Sequence, residues 1–147
     1  MSKFTYQSDL NQDEKIMVTI VRVAERFKKD SSSIFKNYGL TFPQYNVLRV
    51  LEGSETGQNT ITNIGKVLLV TGANMTGIAK RLEKNGFLLR KGEPDDERIT
   101  LLEITPKGKQ TLDNISHNKD KNIQTYFEGF SDKEKDALLK ELRHLLK

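Results

Sequence analysis

The side chains whose types and spacing suggest chemistry in this 147-residue chain are a local group of cations. Between Thr71 and Lys91 stand five basic residues, Lys80, Arg81, Lys84, Arg90 and Lys91, against one acid, Glu83. That local excess of four equals the net charge of +4 that 24 basic and 20 acidic residues give the whole chain. A basic patch on a nearly balanced protein is suited to holding a polyanion; a solvated lysine-rich face is the plain alternative. A second set lies just downstream. Arg90 and Lys91 precede, and Arg98 follows, the acids Glu93, Asp95, Asp96 and Glu97. Carboxylates repel phosphate, but a carboxylate paired with an arginine fixes that arginine's direction. Clustered acids also bind magnesium or calcium, yet this run lacks the spacing of a calcium loop, so no metal is expected. A solvated turn is the remaining reading.

Catalytic chemistry finds little support. There is no cysteine, which removes disulfides, thiolate zinc sites and thiol nucleophiles. His117 and His144 are the only histidines; they fall in separate helical segments and read as surface or structural residues. No nucleophile set and no phosphate-binding glycine loop is present, so neither an enzyme nor a cofactor is expected. No run approaches the ~20 apolar residues of a membrane span. The stretch Met1 to Asn11 lacks a basic leader and an apolar core, and a cytoplasmic location is expected from that.

The elements that must position these residues follow from periodicity and caps. Ile16, Ile20, Val23, Ala24 and Phe27 recur at helical spacing from about Asn11 to Asn37, with Asn11 and Glu14 resembling a capping box. Ser31 to Ser33 weaken this first helix. Gly39 ends it, and Thr41 with Gln44 caps a second, which carries Tyr45, Val47, Leu48 and Leu51 and stops at Gly53. Gly53 to Asn59 reads as a polar loop. Two short helices, about Ile61 to Leu68 and Gly72 to Asn85, are joined by Leu69 to Thr71, a helix-turn-helix, with Thr71 as N-cap and Gly86 past the end. The period then changes. Phe87 to Lys91 and Ile99 to Ile104 are extended segments flanking a polar turn, Gly92 to Glu97, and so form a hairpin. Thr105-Pro106 opens a further helix to about Tyr126 or Phe127, and Ser131 with Glu134 caps a last one bearing Leu138, Leu142, Leu145 and Leu146. A hairpin directly after a helix-turn-helix is the wing of a winged-helix domain. The first and last helices keep apolar faces that need a partner.

On the second helix of the pair, Met75, Ile78, Ala79 and Leu82 share one face, which must be the core face. The opposite face carries Ala73, Thr76, Gly77, Lys80 and Lys84, with Arg81 at its edge. Small residues near the start let such a helix lie deep in a major groove, and the cations further along reach phosphates. A glycine inside a helix costs about 1 kcal/mol relative to alanine, which close approach to another surface would offset. The set expected to contact DNA is Thr71, Ala73, Asn74, Thr76, Gly77, Lys80, Arg81, Lys84, Arg90, Lys91, Asp96 and Arg98.

Four stretches carry a family resemblance. Leu40-Thr41-Phe42-Pro43-Gln44-Tyr45-Asn46-Val47-Leu48, Leu82-Glu83-Lys84-Asn85-Gly86-Phe87-Leu88-Leu89-Arg90, Asp96-Glu97-Arg98 and Ile104-Thr105-Pro106-Lys107-Gly108 resemble, in that order, the second-helix signature, helix-to-wing junction, Asp-x-Arg wing motif and next-helix opening of MarR-type regulators. The resemblance implies one mainly α domain, 1–147: a winged helix-turn-helix over 40–106 with a small β-hairpin wing, flanked by dimerisation helices in 1–38 and 107–147. It implies a homodimer that binds a pseudo-palindromic double-stranded operator as a repressor. Arg98 would enter the minor groove, oriented by Asp96. A small aromatic or lipophilic effector would release it, in a pocket for which Phe35, Tyr38 and Tyr45 are candidate linings, though core packing is their other reading. Gly77 departs from the family, where many relatives carry a polar or basic residue, so base readout leans on Thr76, on methyl contacts from Ala73 and Thr76, or on DNA shape. The competing function is a winged-helix module binding an acidic protein.

Overall fold

The computed structural model describes residues 9–147, so the leader reading at Met1 to Ser8 lies outside the described residues. Helix α1 (Gln12–Lys36) starts where the Asn11 side chain accepts from the Glu14 amide at 2.9 Å, and it runs unbroken through the three serines. Gly39, at φ 78°, makes the left-handed turn out of it. Helix α2 (Phe42–Glu52) is closed by a reciprocal cap: Gln44 N donates to Thr41 Oγ1 at 3.2 Å and Thr41 N to Gln44 Oε1 at 3.0 Å.

The segment expected to be a polar loop is not one. It forms a 3-10 turn, Glu55–Gly57, and a short strand β1 (Gln58–Thr60). Helix α3 (Ile61–Leu68) and helix α4 (Gly72–Lys84) follow, then β2 (Leu88–Glu93) and β3 (Asp96–Ile104), in an antiparallel sheet of order β1-β3-β2. Gln58 stands opposite Glu103 and Thr60 opposite Leu101. Three polar residues carry no strand period; β1 exists because the open edge of β3 supplies its hydrogen-bond partners. The hairpin is also tighter than its polar turn suggests. Glu93 pairs with Asp96, so only Pro94 and Asp95 make the tip, and the register slips at Gly92/Glu93.

Helix α5 (Pro106–Phe127) begins at Thr105, whose Oγ1 accepts from Gly108 N at 3.1 Å. Helix α6 (Asp132–Leu145) has the Ser131–Glu134 box in both directions. Val47, Leu48 and Leu51 of α2, Ile64 of α3, Met75, Ala79 and Leu82 of α4, Leu88 and Leu102 of the sheet, and Ile115 of α5 form the core with Phe35. Each large side chain fully buried there contributes roughly 1.5–3 kcal/mol. The long helices leave this core. Tyr126 of α5 meets Phe27 of α1 edge-on at 4.7 Å and donates its hydroxyl to Asp30. Burial, then the Asp30 acceptor, push the Tyr126 hydroxyl above the usual phenol range, so it stays a donor. Beyond that crossing, Ile16, Met17, Ile20, Val21 and Val23 of α1 and Leu138, Leu139, Leu142 and Leu145 of α6 remain exposed, and α6 buries no residue.

Candidate nucleic-acid interface

The corner between α3 and α4 is made by a close approach. A Cβ on Gly65 would stand 3.0 Å from the Val70 carbonyl and 3.2 Å from Met75 Cγ, so glycine there lets the two helices meet. Leu69 turns the chain in the left-handed region at φ 56°, a conformation that costs a non-glycine residue roughly 1–2 kcal/mol. Thr71 then caps α4 by accepting from Asn74 N at 3.4 Å.

Helix α4 faces as its sequence predicts. Met75, Ala79 and Leu82 are buried and Ile78 packs against the core. Thr71, Ala73, Asn74, Thr76, Lys80, Arg81 and Lys84 are exposed, with Gly77 half-buried among them. Thr76 donates its hydroxyl to Gly72 O at 3.1 Å. Neither Gly72 nor Gly77 is required by packing: a Cβ on either would meet nothing within 4 Å. Among the described residues, Lys80, Arg81 and Lys84 take part in no ion pair.

The basic patch counted along the chain divides in space. Arg90 Nε donates to Glu83 Oε1 at 2.9 Å and its amide to Glu83 Oε2 at 3.1 Å, tying the first wing strand to α4. Lys91 pairs with Glu103 across the hairpin, and Gln58 Nε2 donates to the same carboxylate at 3.2 Å. These bonds hold both carboxyls below the usual range, Glu83 chiefly through the Arg90 side chain and Glu103 chiefly through Lys91. Spacing alone did not reveal either acid as a partner.

Arg98 is placed differently. Its Nε and Nη2 donate to the two Asp96 oxygens, each at 3.1 Å, and its amide donates to Oδ1 at 3.0 Å. The guanidinium is clasped from behind, yet its side chain stays 89% exposed. Hydrogen bonds from Arg98 hold the Asp96 carboxyl below its ordinary value, so the clasp is complete at neutral pH. The arrangement presents a paired but exposed cation on the wing strand β3 and, on α4, an open, small-residue helix face with three cations outside any ion pair among the described residues. That combination can hold a duplex by its phosphates and probe a groove.

The aromatic trio separates. Phe35 and Tyr45 stack at 3.9 Å, nearly parallel, and both are buried in the core. Tyr38 is half-buried and accepts from Asn118 Nδ2 at 3.4 Å. It lines a cavity of about 400 Å³ with Gly39, Asn85, Phe87, Lys107 and Thr111. Among the described residues no cluster of His, Asp and Glu could hold a metal, and no helix is long and apolar enough to cross a membrane.

Residues 29–115 match the family model described as transcriptional regulator SarA/Rot. The HTH-type transcriptional regulator YkoM of Bacillus subtilis is 33% identical over 117 residues, 80% of this chain and 72% of that protein. Among solved structures, the fold is similar to that of Sco3205, a MarR family transcriptional regulator from Streptomyces coelicolor solved in complex with DNA, with a TM-score of 0.85 at 19% identity over 96% of this chain and 90% of that one. It is also similar to NadR solved with 4-hydroxyphenylacetate, with a TM-score of 0.74 at 24% identity over 97% of each chain.

Proposed function

The chain belongs to the SarA/Rot family of transcriptional regulators, and from that premise we propose that it is a homodimeric repressor that reads a pseudo-palindromic operator with α4 and the wing. The observation that carries the reading is the Asp96–Arg98 clasp, which pairs a guanidinium on the wing strand β3 and leaves its side chain 89% exposed. Helix α4 enters the major groove. Gly72, Ala73 and Gly77 permit close approach, Thr71, Asn74 and Thr76 stand where its first turns meet base edges, and Lys80, Arg81 and Lys84 hold phosphates. Arg98 enters the adjacent minor groove. Arg90 and Lys91, already neutralised by Glu83 and Glu103, serve the wing's geometry more than its charge.

The exposed stripes of α1 and α6 support a second copy as the partner that covers them. Residues 40–106 then act as the reading head and the flanking helices as the dimerisation frame. A small aromatic or lipophilic effector fits the region where the end of α1 meets the reading head. Tyr38 lines the cavity there, and Lys107 and Phe87 give it one cationic and one aromatic wall.

The test is binding to a duplex selected by the protein from a random pool, followed by fluorescence anisotropy across a salt series. We expect half-sites about 10 bp apart and a slope of log K on log salt of about −5 to −9 for 6–10 phosphates neutralised. A slope near zero would favour an acidic protein as partner instead.

A further inference from the structure

Helix α4 hands over to the wing through Asn85, Gly86 and Phe87, with Asn85 as its C-cap and Gly86 left-handed at φ 83°. Three carbonyls at this junction lie past the helix's own ladder and need donors. The opening of α5 supplies all of them. Lys107 Nζ donates to Asn85 O at 2.6 Å, Thr105 Oγ1 to Gly86 O at 2.6 Å, and Thr105 N to Phe87 O at 3.1 Å. The contact is close enough that a Cβ on Gly108 would lie 2.4 Å from Phe87 O. Lys107 also sets its ammonium 4.7 Å from the centre of the Phe87 ring. It is an exposed lysine with no ion pair among the described residues, and its charge is turned inward onto the negative end of the α4 dipole.

We propose that Lys107 is a positioning residue for DNA recognition: its ammonium caps α4 and locks the recognition helix to α5 without touching the duplex. This rests on the reading of α4 as the groove-entering helix. Helix α4 has 13 residues, a lever of about 20 Å. A tilt of ~5° about its held end moves its first turn by about 1.7 Å, while hydrogen-bond lengths vary by only about 0.5 Å. Because α5 runs on toward the apolar faces at the other end of the molecule, the same clamp fixes α4 relative to its counterpart in a dimer.

The experiment uses the full-length protein, the highest-affinity duplex the wild type recovers from a random pool, and a scrambled duplex of the same composition. Lys107→Met keeps an apolar stem and removes the ammonium. We expect about a tenfold loss on the selected duplex, the scale of one charge-assisted hydrogen bond, little change on the scrambled duplex, and an unaltered salt slope on the selected one. Lys107→Arg, which keeps charge and donors, should recover most of the loss. Lys107→Gln takes the place of Lys107→Met if the latter does not fold. Equal loss on both duplexes with a slope reduced by about 0.9, the mark of one lost phosphate contact, would overturn the proposal, since the lysine would then touch DNA. Wild-type binding by the folded Lys107→Met protein would remove the clamp alone. Failure of the wild type to recover any sequence would instead remove the DNA reading on which the clamp rests.

Discussion

Arg98 and Arg90 are both paired arginines, and their carboxylates do opposite things to them. Glu83 draws Arg90 down against α4, leaving its side chain 35% exposed, whereas Asp96 holds Arg98 from below and leaves it 89% exposed. In the proposed complex only the second is exposed enough to enter a groove. Arg98→Ala should therefore weaken binding to the selected duplex by about 1.5–3 kcal/mol, the range for hydrogen bonds made by a charged group. Asp96→Ala should fall between that variant and wild type, because the cation remains but is free to rotate. Arg98→Ala should also cost more than Lys107→Ala. Anisotropy titrations, with circular dichroism as the check on folding, measure all three; a folded Arg98→Ala protein that binds like wild type removes the wing assignment. The pH dependence follows from the sign of the Asp96 shift. Its folded pKa is lowered by Arg98, so the clasp is present above the ordinary carboxylate value and is lost as pH falls through the lowered one. Wing order, read from the Arg98 side-chain NMR signals, should thus be constant from neutral pH down to the ordinary carboxylate range and disappear only in stronger acid.

Within α4, two kinds of glycine cost must be kept apart. Gly65, on the facing helix, is structural, because a Cβ there meets Val70 O at 3.0 Å, and Gly65→Ala should destabilise the fold. Gly77 meets nothing, so its helix penalty is uncompensated inside the chain. Gly77→Ala should raise stability by up to about 1 kcal/mol and yet lower affinity for the selected duplex. Thermal melts and anisotropy read the two effects separately. A variant that is more stable and binds equally well would show that close approach at Gly77 plays no part.

At the scale of the molecule, the helices that leave the core carry more apolar surface than the reading head can cover. Ile16, Met17 and Val21 of α1 and Leu139 and Leu145 of α6 are among the exposed residues. An obligate dimer interface of upwards of ~2,000 Å² would bury such faces. Sedimentation equilibrium should show a dimer at micromolar concentration; a monomer there would defeat the dimer model. Release from DNA should follow a small phenol or aromatic carboxylate and not peroxide, because a chain with no cysteine lacks the thiolate that oxidant sensing needs. Such a compound must prefer a dimer with wrongly spaced recognition helices, since equal affinity for both states shifts nothing. A panel of these compounds run beside hydrogen peroxide in the anisotropy assay tests this, and prompt, reductant-reversible release by peroxide alone would reverse it.

What the sequence determined by itself is local. The caps Asn11, Thr41, Thr71, Thr105 and Ser131 sit where spacing put them, because each cap bonds an amide three residues on. The buried face of α4 was legible for the same reason, since a helical period gathers those side chains on one side, and the Asp96–Arg98 clasp was legible through the wing motif of the family resemblance, extended backbone setting residues two apart on one face. Tertiary structure decided the pairings between distant segments. It made a strand of Gln58–Thr60 by offering the edge of β3, and stacked Phe35 on Tyr45, the core packing that stood beside a pocket lining as their two readings. It neutralised Arg90 and Lys91 with Glu83 and Glu103, and carried Lys107 to the carbonyl of Asn85, 22 residues away. Periodicity encodes which side of an element turns inward, whereas the partner it finds there depends on how the elements pack, and no local pattern in the sequence carries that.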